Sequence, residues 1–481
     1  MRPVLSNLGF VMQIAGMFLI MPIASAFYLN ETETLISFFV TGFSFFVLGF
    51  VLNALSARAE MSYRQSCVLL GMSFVLLSVI GAIPYIWNNP FGQSDPLDIV
   101  TNSIFESASG FTTTGLSLIN NLDAMPRPLV FYRSLTELIG GLGIVLLILA
   151  FFYKGDTIQN ISRVIGFVEI SKNIKRSFVS ILVVYLFYLA ILTGMFYLLG
   201  FTNILNVVST LISGLMTGGL SPINDFAQYT TFPTNALLIA AMLLGSISFL
   251  IHLKVLQRKF TEVLRKEFLL FIGIMAVAAV FVFLAYGKDP SETAFHVISA
   301  ASGTGFATWN FSGLDTTLKL VFVILMFIGG MSISTAGGIK VLRLAVFLKS
   351  VPRAVQSLIS NEGFETTFDG RNYTMKDIAI NTIFIILSIV MVFLGSVAFA
   401  AAGFSFIDSV FEAASAFGTV GLSTGITSLG LAVHLKWVLV ILMLVGRIEI
   451  IPFLMTFAKD SEKQVHGHEK EGRKLARLTQ P

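Results

Sequence analysis

Phe105-Glu-Ser-Ala-Ser-Gly-Phe-Thr-Thr-Thr-Gly115-Leu-Ser117 returns 306 residues later as Phe411-Glu-Ala-Ala-Ser-Ala-Phe-Gly-Thr-Val-Gly421-Leu-Ser423, ungapped and with nine of thirteen positions identical. The register persists into the next apolar run, where Gly140-Gly141-Leu142-Gly143-Ile144 falls on Gly446-Arg447-Ile448-Glu449-Ile450. Two weaker copies emerge against that template. One is Ser213-Gly-Leu-Met-Thr-Gly-Gly219-Leu-Ser221, followed by Gly245-Ser246-Ile247-Ser248; the other is Ser299-Ala-Ala-Ser-Gly-Thr-Gly305-Phe306, followed by Gly329-Gly330-Met331-Ser332. From loop glycine to span glycine the interval is 25, 26, 24 and 25 residues in order. Recurrence at a held spacing means repeated structural units packed on one another, and this chain has four.

Each unit reads as a long apolar run, a shorter amphipathic segment, a Thr/Gly-rich loop and a second long run. The short segments, Leu97 to Ser109, Ile204 to Leu215, Ser291 to Ala301 and Phe406 to Phe417, fall below the roughly 20 residues that cross a hydrocarbon core of about 30 Å. They are expected to dip in and return. Long apolar runs begin near Leu5, Leu35, Ser66, Leu129, Phe178, Thr234, Phe268, Thr317, Asp377 and Leu435, which predicts ten transmembrane helices, the first two outside the repeat. Composition agrees: 55% of the 481 residues are apolar and 12% charged, against about 25% charged in soluble domains. The fold expected is an all-α integral membrane protein with ten transmembrane helices and four re-entrant pore loops, its helix, pore loop, helix repeats set pseudo-fourfold around a central pore. The boundaries expected are 1–62 for the two extra helices, 63–160, 161–262, 263–356 and 357–459 for the four repeats, and 460–481 for a polar tail.

Short cytoplasmic loops collect Lys and Arg. With the N-terminus inside, the inner connections carry Arg58 and Arg64; Lys154, Arg163, Lys172, Lys175 and Arg176; Arg258, Lys259, Arg265 and Lys266; and Lys340 to Lys376, with Lys459 to Arg477 in the tail. The outer connections hold Arg127, Arg133, Lys288, Lys319 and Lys436. Both termini are therefore expected in the cytoplasm, and the net charge of +4 reads as topology rather than as a nucleic-acid surface. The single cysteine, Cys67, has no intrachain partner, and His466 and His468 lie in a polar stretch without ligand spacing. Ala24-Ser25-Ala26 has the small-residue pattern of a cleavage site, but the long apolar run before it is read as a retained helix.

Non-helical backbone at membrane depth persists only where protein or a water-filled cavity satisfies it. Four Thr/Gly loops around an axis offer inward carbonyls to replace an ion's hydration shell. The candidate strips are Thr113-Thr114-Gly115, Thr217-Gly218-Gly219, Gly303-Thr304-Gly305 and Thr419-Val420-Gly421. Glycine adopts positive φ at little cost, and a short helix ending at each loop turns its negative dipole end toward a cation. One such loop is an ordinary turn; four equivalent ones are not.

On these motifs the whole chain resembles the TrkH/KtrB family of potassium uptake proteins, and its two additional N-terminal helices resemble the TrkH branch. The resemblance implies K+ as the transported ion, a filter with one selective glycine per loop (Gly115, Gly219, Gly305 and Gly421) and no organic cofactor. It further implies residence in the bacterial inner membrane, a homodimer within membrane lipid, and docking of cytosolic TrkA-like nucleotide-binding regulatory subunits. Basic stretches around Arg163 to Arg176 and Lys349 to Arg371 offer surfaces for them. Only the fourth loop has Thr-Val-Gly and none continues to Tyr-Gly, so the filter is expected to be short.

The run from Thr317 to Val351 exceeds one crossing and is interrupted by Gly329-Gly330-Met331-Ser332-Ile333-Ser334-Thr335-Ala336-Gly337-Gly338, with Lys340 just beyond. Broken helices at membrane depth mark transport pathways, and the resemblance implies an intramembrane loop that gates the pore. The alternative is a long tilted helix. Arg447 falls mid-span, where a charge costs at least about 2.5–3.5 kcal/mol and signals function; its counterparts are Gly141, Ser246 and Gly330. It is expected either to oppose cations beneath the filter or to brace carbonyls. Glu106 and Glu412, equivalent in the first and fourth short helices, are expected to brace the loops. Symport of K+ with Na+ or H+ is the rival within transport. An intramembrane enzyme lacks a convergent nucleophile, base or metal pattern.

Overall fold

The computed structural model describes residues 2–55, 61–141, 174–259, 266–360 and 364–457. The regular secondary structure of the described residues is helical apart from one hairpin, Thr366–Phe368 with Arg371–Tyr373. Six helical stretches are long and apolar enough to cross a membrane: Arg2–Tyr28, Thr32–Ala54, Tyr63–Asn88, Val179–Leu198, Lys266–Tyr286 and Met375–Ala401. Two bent pairs, Thr234–Ser246 with Phe249–Leu256 and Val433–Ile448 with Ile450–Thr456, raise the number to eight among the described residues. On Met375–Ala401 the inward side buries Phe384, Ser388, Val392 and Phe399, while Ile383, Ile386, Phe393 and Leu394 are all more than half exposed. At about 25 cal/mol per Å² of apolar surface, such outward faces are stable only against lipid. The chain is a multi-pass membrane protein.

The short segments fold close to where the sequence puts them, as helices Pro96–Phe111, Ile204–Leu215, Pro290–Ser302 and Phe406–Phe417. Their starts are built locally. Pro96 and Pro290 supply the preset φ of a first helical turn, and the Asn203, Asp289 and Ser405 side chains accept otherwise orphaned N–H groups. The constant interval to the span glycine also has a physical cause. A Cβ at Gly140, Gly245 or Gly446 would overlap the carbonyl oxygen of Phe111, Leu215 or Phe417, the last residue of the short helix in the same unit. In each of these units the second helix touches the end of the short helix, backbone to backbone. The third unit differs: its span glycine, Gly329, backs onto the carbonyl of Gly337 within the interruption.

Three basic residues that sequence assigns to outer loops are instead buried ties between successive units. Arg133 donates from Nη1 to the Ser221 carbonyl (3.1 Å), linking unit one to unit two. Lys319 donates to Asp408 Oδ1 (2.8 Å), linking three to four. Lys436 donates to Asn102 Oδ1 (2.8 Å), linking four back to one. A buried cation is tolerable only when its donors are engaged, and both ammonium groups also reach a loop carbonyl, Ser312 and Leu429 respectively.

Sequence expects one broken inner helix, in unit three; the structure breaks those of units two and four as well. Unit two turns by 102° at Ile247-Ser248 and unit four by 104° at Glu449, whose φ is +69°. Unit two breaks two residues after Gly245, and unit four breaks where Pro452, three residues on, has no N–H to give the Ile448 carbonyl. The corresponding stretch of unit one, with Gly143 and Ile144, lies outside the described residues, as do Arg58, Lys154, Arg163, Lys172, Arg265, the tail from Lys459 and the side chains of Lys175 and Arg176.

Candidate ion pathway

The four Thr/Gly strips meet in a closed ring. A Cβ on Gly115 would overlap the Gly218 carbonyl oxygen, one on Gly219 that of Thr304, one on Gly305 that of Val420, and one on Gly421 that of Thr114. The chain of contacts therefore passes through units one, two, three and four and returns to one. All four strips share one backbone pattern, with two positive φ values separated by one residue: Thr113 and Gly115, Thr217 and Gly219, Gly303 and Gly305, Thr419 and Gly421. For the β-branched threonines this conformation is a true outlier, costing about 1–3 kcal/mol each. Repeating that strain at three equivalent positions marks a constraint on the backbone itself. The Thr113 and Thr419 hydroxyls, buried and with no hydrogen-bond partner, are the kind of oxygen that a bound cation would satisfy.

Each strip is held from behind. Glu106 accepts from Leu118 N (2.5 Å) and Ser117 Oγ (2.9 Å), and receives Arg133 Nη2 at 3.5 Å. Glu412 accepts from Thr424 N (2.8 Å), Ser423 Oγ (2.5 Å) and Thr427 Oγ1 (2.9 Å). Both glutamates thus hold the chain just past their ring glycine, as the sequence leads one to expect. Sequence reasoning missed the other two braces. The residue nine before Gly305 is His296, whose Nε2 lies 3.1 Å from both Thr308 N and Trp309 N. The residue nine before Gly219 is Thr210, and here Glu137 of unit one accepts from Leu220 N at 3.0 Å instead. Carrying the third copy back to Phe295-His296, which parallels Phe105-Glu106, reveals the histidine; no pattern reveals Glu137.

The interruption Gly329 to Gly338 lies against the ring at the end where the short helices stop. Thr335 Oγ1 is 3.1 Å from Thr217 Oγ1, the Ala336 Cβ is 3.4 Å from the Cβ position of Gly303, and Gly337 abuts Thr419. Three of the four strips are touched. Its backbone is strapped to unit two, with Met331 N donating to Ser246 O (3.1 Å), Thr335 Oγ1 to Gly245 O (2.9 Å) and Phe249 N to Ile333 O (2.8 Å). Glu267 accepts Ser332 N at 2.6 Å. Gly330 packs by Ser246, Ser334 Oγ donates to Met331 O, and the Lys340 ammonium turns back onto Ala336 O. The plain tilted helix of the alternative reading is therefore replaced by a folded loop.

Arg447 joins this layer from the fourth unit. Its Nη1 donates to Thr335 O (2.5 Å), and its Nη2 to Gly140 O (2.6 Å) and Gly141 O (3.3 Å). The guanidinium thus braces carbonyls from units one and three at once. Glu449 does not pair with it: at the helix break it meets Arg343 through two bonds of 3.1 and 2.5 Å.

The family model TrkH, described as a cation transport protein, matches residues 35–288 and 267–466. An uncharacterised cation transporter of Methanocaldococcus jannaschii is 29% identical over 462 residues, 95% of each chain. The Trk system potassium uptake protein TrkH of Salmonella typhimurium is 25% identical over 422 residues, covering 83% of this chain and 86% of its own. Among solved structures, the potassium transporter TrkH from Vibrio parahaemolyticus superposes with a TM-score of 0.81 at 22% identity, over 95% of this chain and 98% of that one, a likeness of fold.

Proposed function

This chain belongs to the TrkH family of cation transport proteins, a transporter and not an enzyme, and from that premise we propose that it takes up K+ through the ring of four strips. K+ sheds water as the carbonyls of Thr113 to Gly115, Thr217 to Gly219, Gly303 to Gly305 and Thr419 to Gly421 replace it, and the short-helix dipoles favour its charge. The closed ring of alternately left-handed backbone carries this reading. The interruption Gly329 to Gly338 is the gate, and Arg447 both latches it and opposes cations beneath the ring. The chain crosses the cytoplasmic membrane ten times with both termini inside and four loops re-entrant. The second helices of units one and three complete the eight spans counted above. Homodimerisation and cytosolic TrkA-like nucleotide-binding subunits fit the basic inner connections; of the two stretches, the one from Arg163 lies outside the described residues, while Lys349 and Arg353 are held by the Thr367 and Glu365 carbonyls beside the hairpin.

The test is competition of Na+ with Rb+ uptake in proteoliposomes, with and without a pH gradient to separate passive flux from symport. Gly421→Ser and Gly115→Ser each put a Cβ into the next unit's carbonyl and strain φ by about 1–2 kcal/mol, so preference for K+ over Na+ falls about tenfold. Unchanged competition in both variants would move the filter elsewhere.

A further inference from the structure

The four braces behind the ring are chemically unequal. Glu106, Glu412 and Glu137 are carboxylates with two acceptor oxygens each. His296, fully buried, has a single acceptor atom. Its Nδ1 lies 2.7 Å from the Glu292 carbonyl, which only accepts, so Nδ1 bears the proton and Nε2 takes the N–H groups of Thr308 and Trp309. The ring is locked in place: Trp309 stacks on it at 4.1 Å and 15°, and Phe311 meets its edge.

We propose that His296 is a positioning residue of the ion pathway, holding the third strip as the glutamates hold theirs, and that protonation from the outer side releases that strip and weakens selection of K+. The proposal rests on the ring being the filter. An imidazolium has no acceptor left, whereas a carboxyl that gains one proton keeps acceptor capacity. Thr308 is solvent-exposed, so acid reaches the ring from the loop above it. The charges nearby are few. Glu292 takes Trp309 Nε1 at 3.0 Å and Lys288 sits 5.5 Å from the indole. From the second helix of its own unit, Lys319 is engaged by Asp408. From the first, Tyr286 donates to Asp315. The packed helix of unit two, Thr234–Ser246, has no charged residue.

The test is Na+ competition against Rb+ uptake by the full chain in proteoliposomes as external pH is taken from about 8 down to about 4, because burial pushes the His296 imidazole down to about 4, below the ordinary histidine range. Wild type should lose preference for K+ at acid by about fivefold, the scale of one lost hydrogen bond. His296→Gln, which keeps an acceptor but does not titrate, should hold its preference and be flat with pH; His296→Ala should be poorly selective throughout. Flat wild-type competition, or acid dependence surviving in His296→Gln, would overturn the assignment, and neither result needs the alanine variant to fold. Gly305→Ser separates the two levels. If it too leaves competition unchanged, the filter reading itself fails. If it abolishes preference while the histidine experiments show nothing, only this inference fails.

Discussion

At the ring, all four units carry the same pair of left-handed residues and each glycine closes on the next unit's carbonyl. One layer below, the equivalent positions hold Gly141, Ser246, Gly330 and Arg447. Units two and four bend there at two different residues and unit three inserts a ten-residue loop. Backbone oxygens that contact one ion from four sides must be equivalent, so the repeat is preserved there. A gate needs a part that moves and a part that holds it, and four identical units supply no such distinction. The sequence copies therefore agree where the chain would touch the ion and diverge where it would control passage.

The strongest way to break this contrast is to remove the charge that unit four alone puts at the position equivalent to Gly141, Ser246 and Gly330. Arg447→Gln loses the charge-assisted bonds to Thr335 O and Gly140 O and the repulsion of a cation beneath the ring, worth about 1 kcal/mol at about 4 Å in water and more in a narrow cavity. Flux should rise about tenfold with Na+ competition nearly unchanged, measured as Rb+ uptake without any partner subunit. Unchanged flux in a folded variant removes the latch and the barrier together. Altered competition would mean that the two layers are not separable.

A smaller effect is expected at the clasp between the two asymmetric breaks. Arg343 and Glu449 are each about one-fifth exposed, with 22% for both side chains, so the pair is partly screened and couples by about 1 kcal/mol. Arg343→Met and Glu449→Gln should each raise basal leak about threefold to fivefold, and the double variant should leak no more than either alone. Additive leaks would show that the residues act independently.

The same contrast explains what the sequence discloses. Gly115, Gly219, Gly305 and Gly421 are legible because backbone geometry dictates residue type, and the interruption in unit three because four glycines break an apolar run. The Glu106 and Glu412 braces follow from their equivalent places. The bend at Ile247-Ser248 is hard to read because a tertiary contact holds it, Phe249 N bonding Ile333 O, whereas the bend at Glu449 is announced by Pro452 and then secured by Arg343 across 106 residues. Lys319 and Lys436 read as loop charges because a lysine near a span end looks the same whether solvated or tied to a neighbouring unit. His296 was within reach of the repeat; Glu137, reaching from one unit into another, was not.

A cation held on the axis of the ring would be located directly by anomalous scattering from rubidium or thallium soaked into the crystallised protein. A peak is expected among the carbonyls of Thr114, Gly218, Thr304 and Val420, weakened in Gly421→Ser. A strong peak elsewhere, with the ring of the wild-type protein empty, would contradict it.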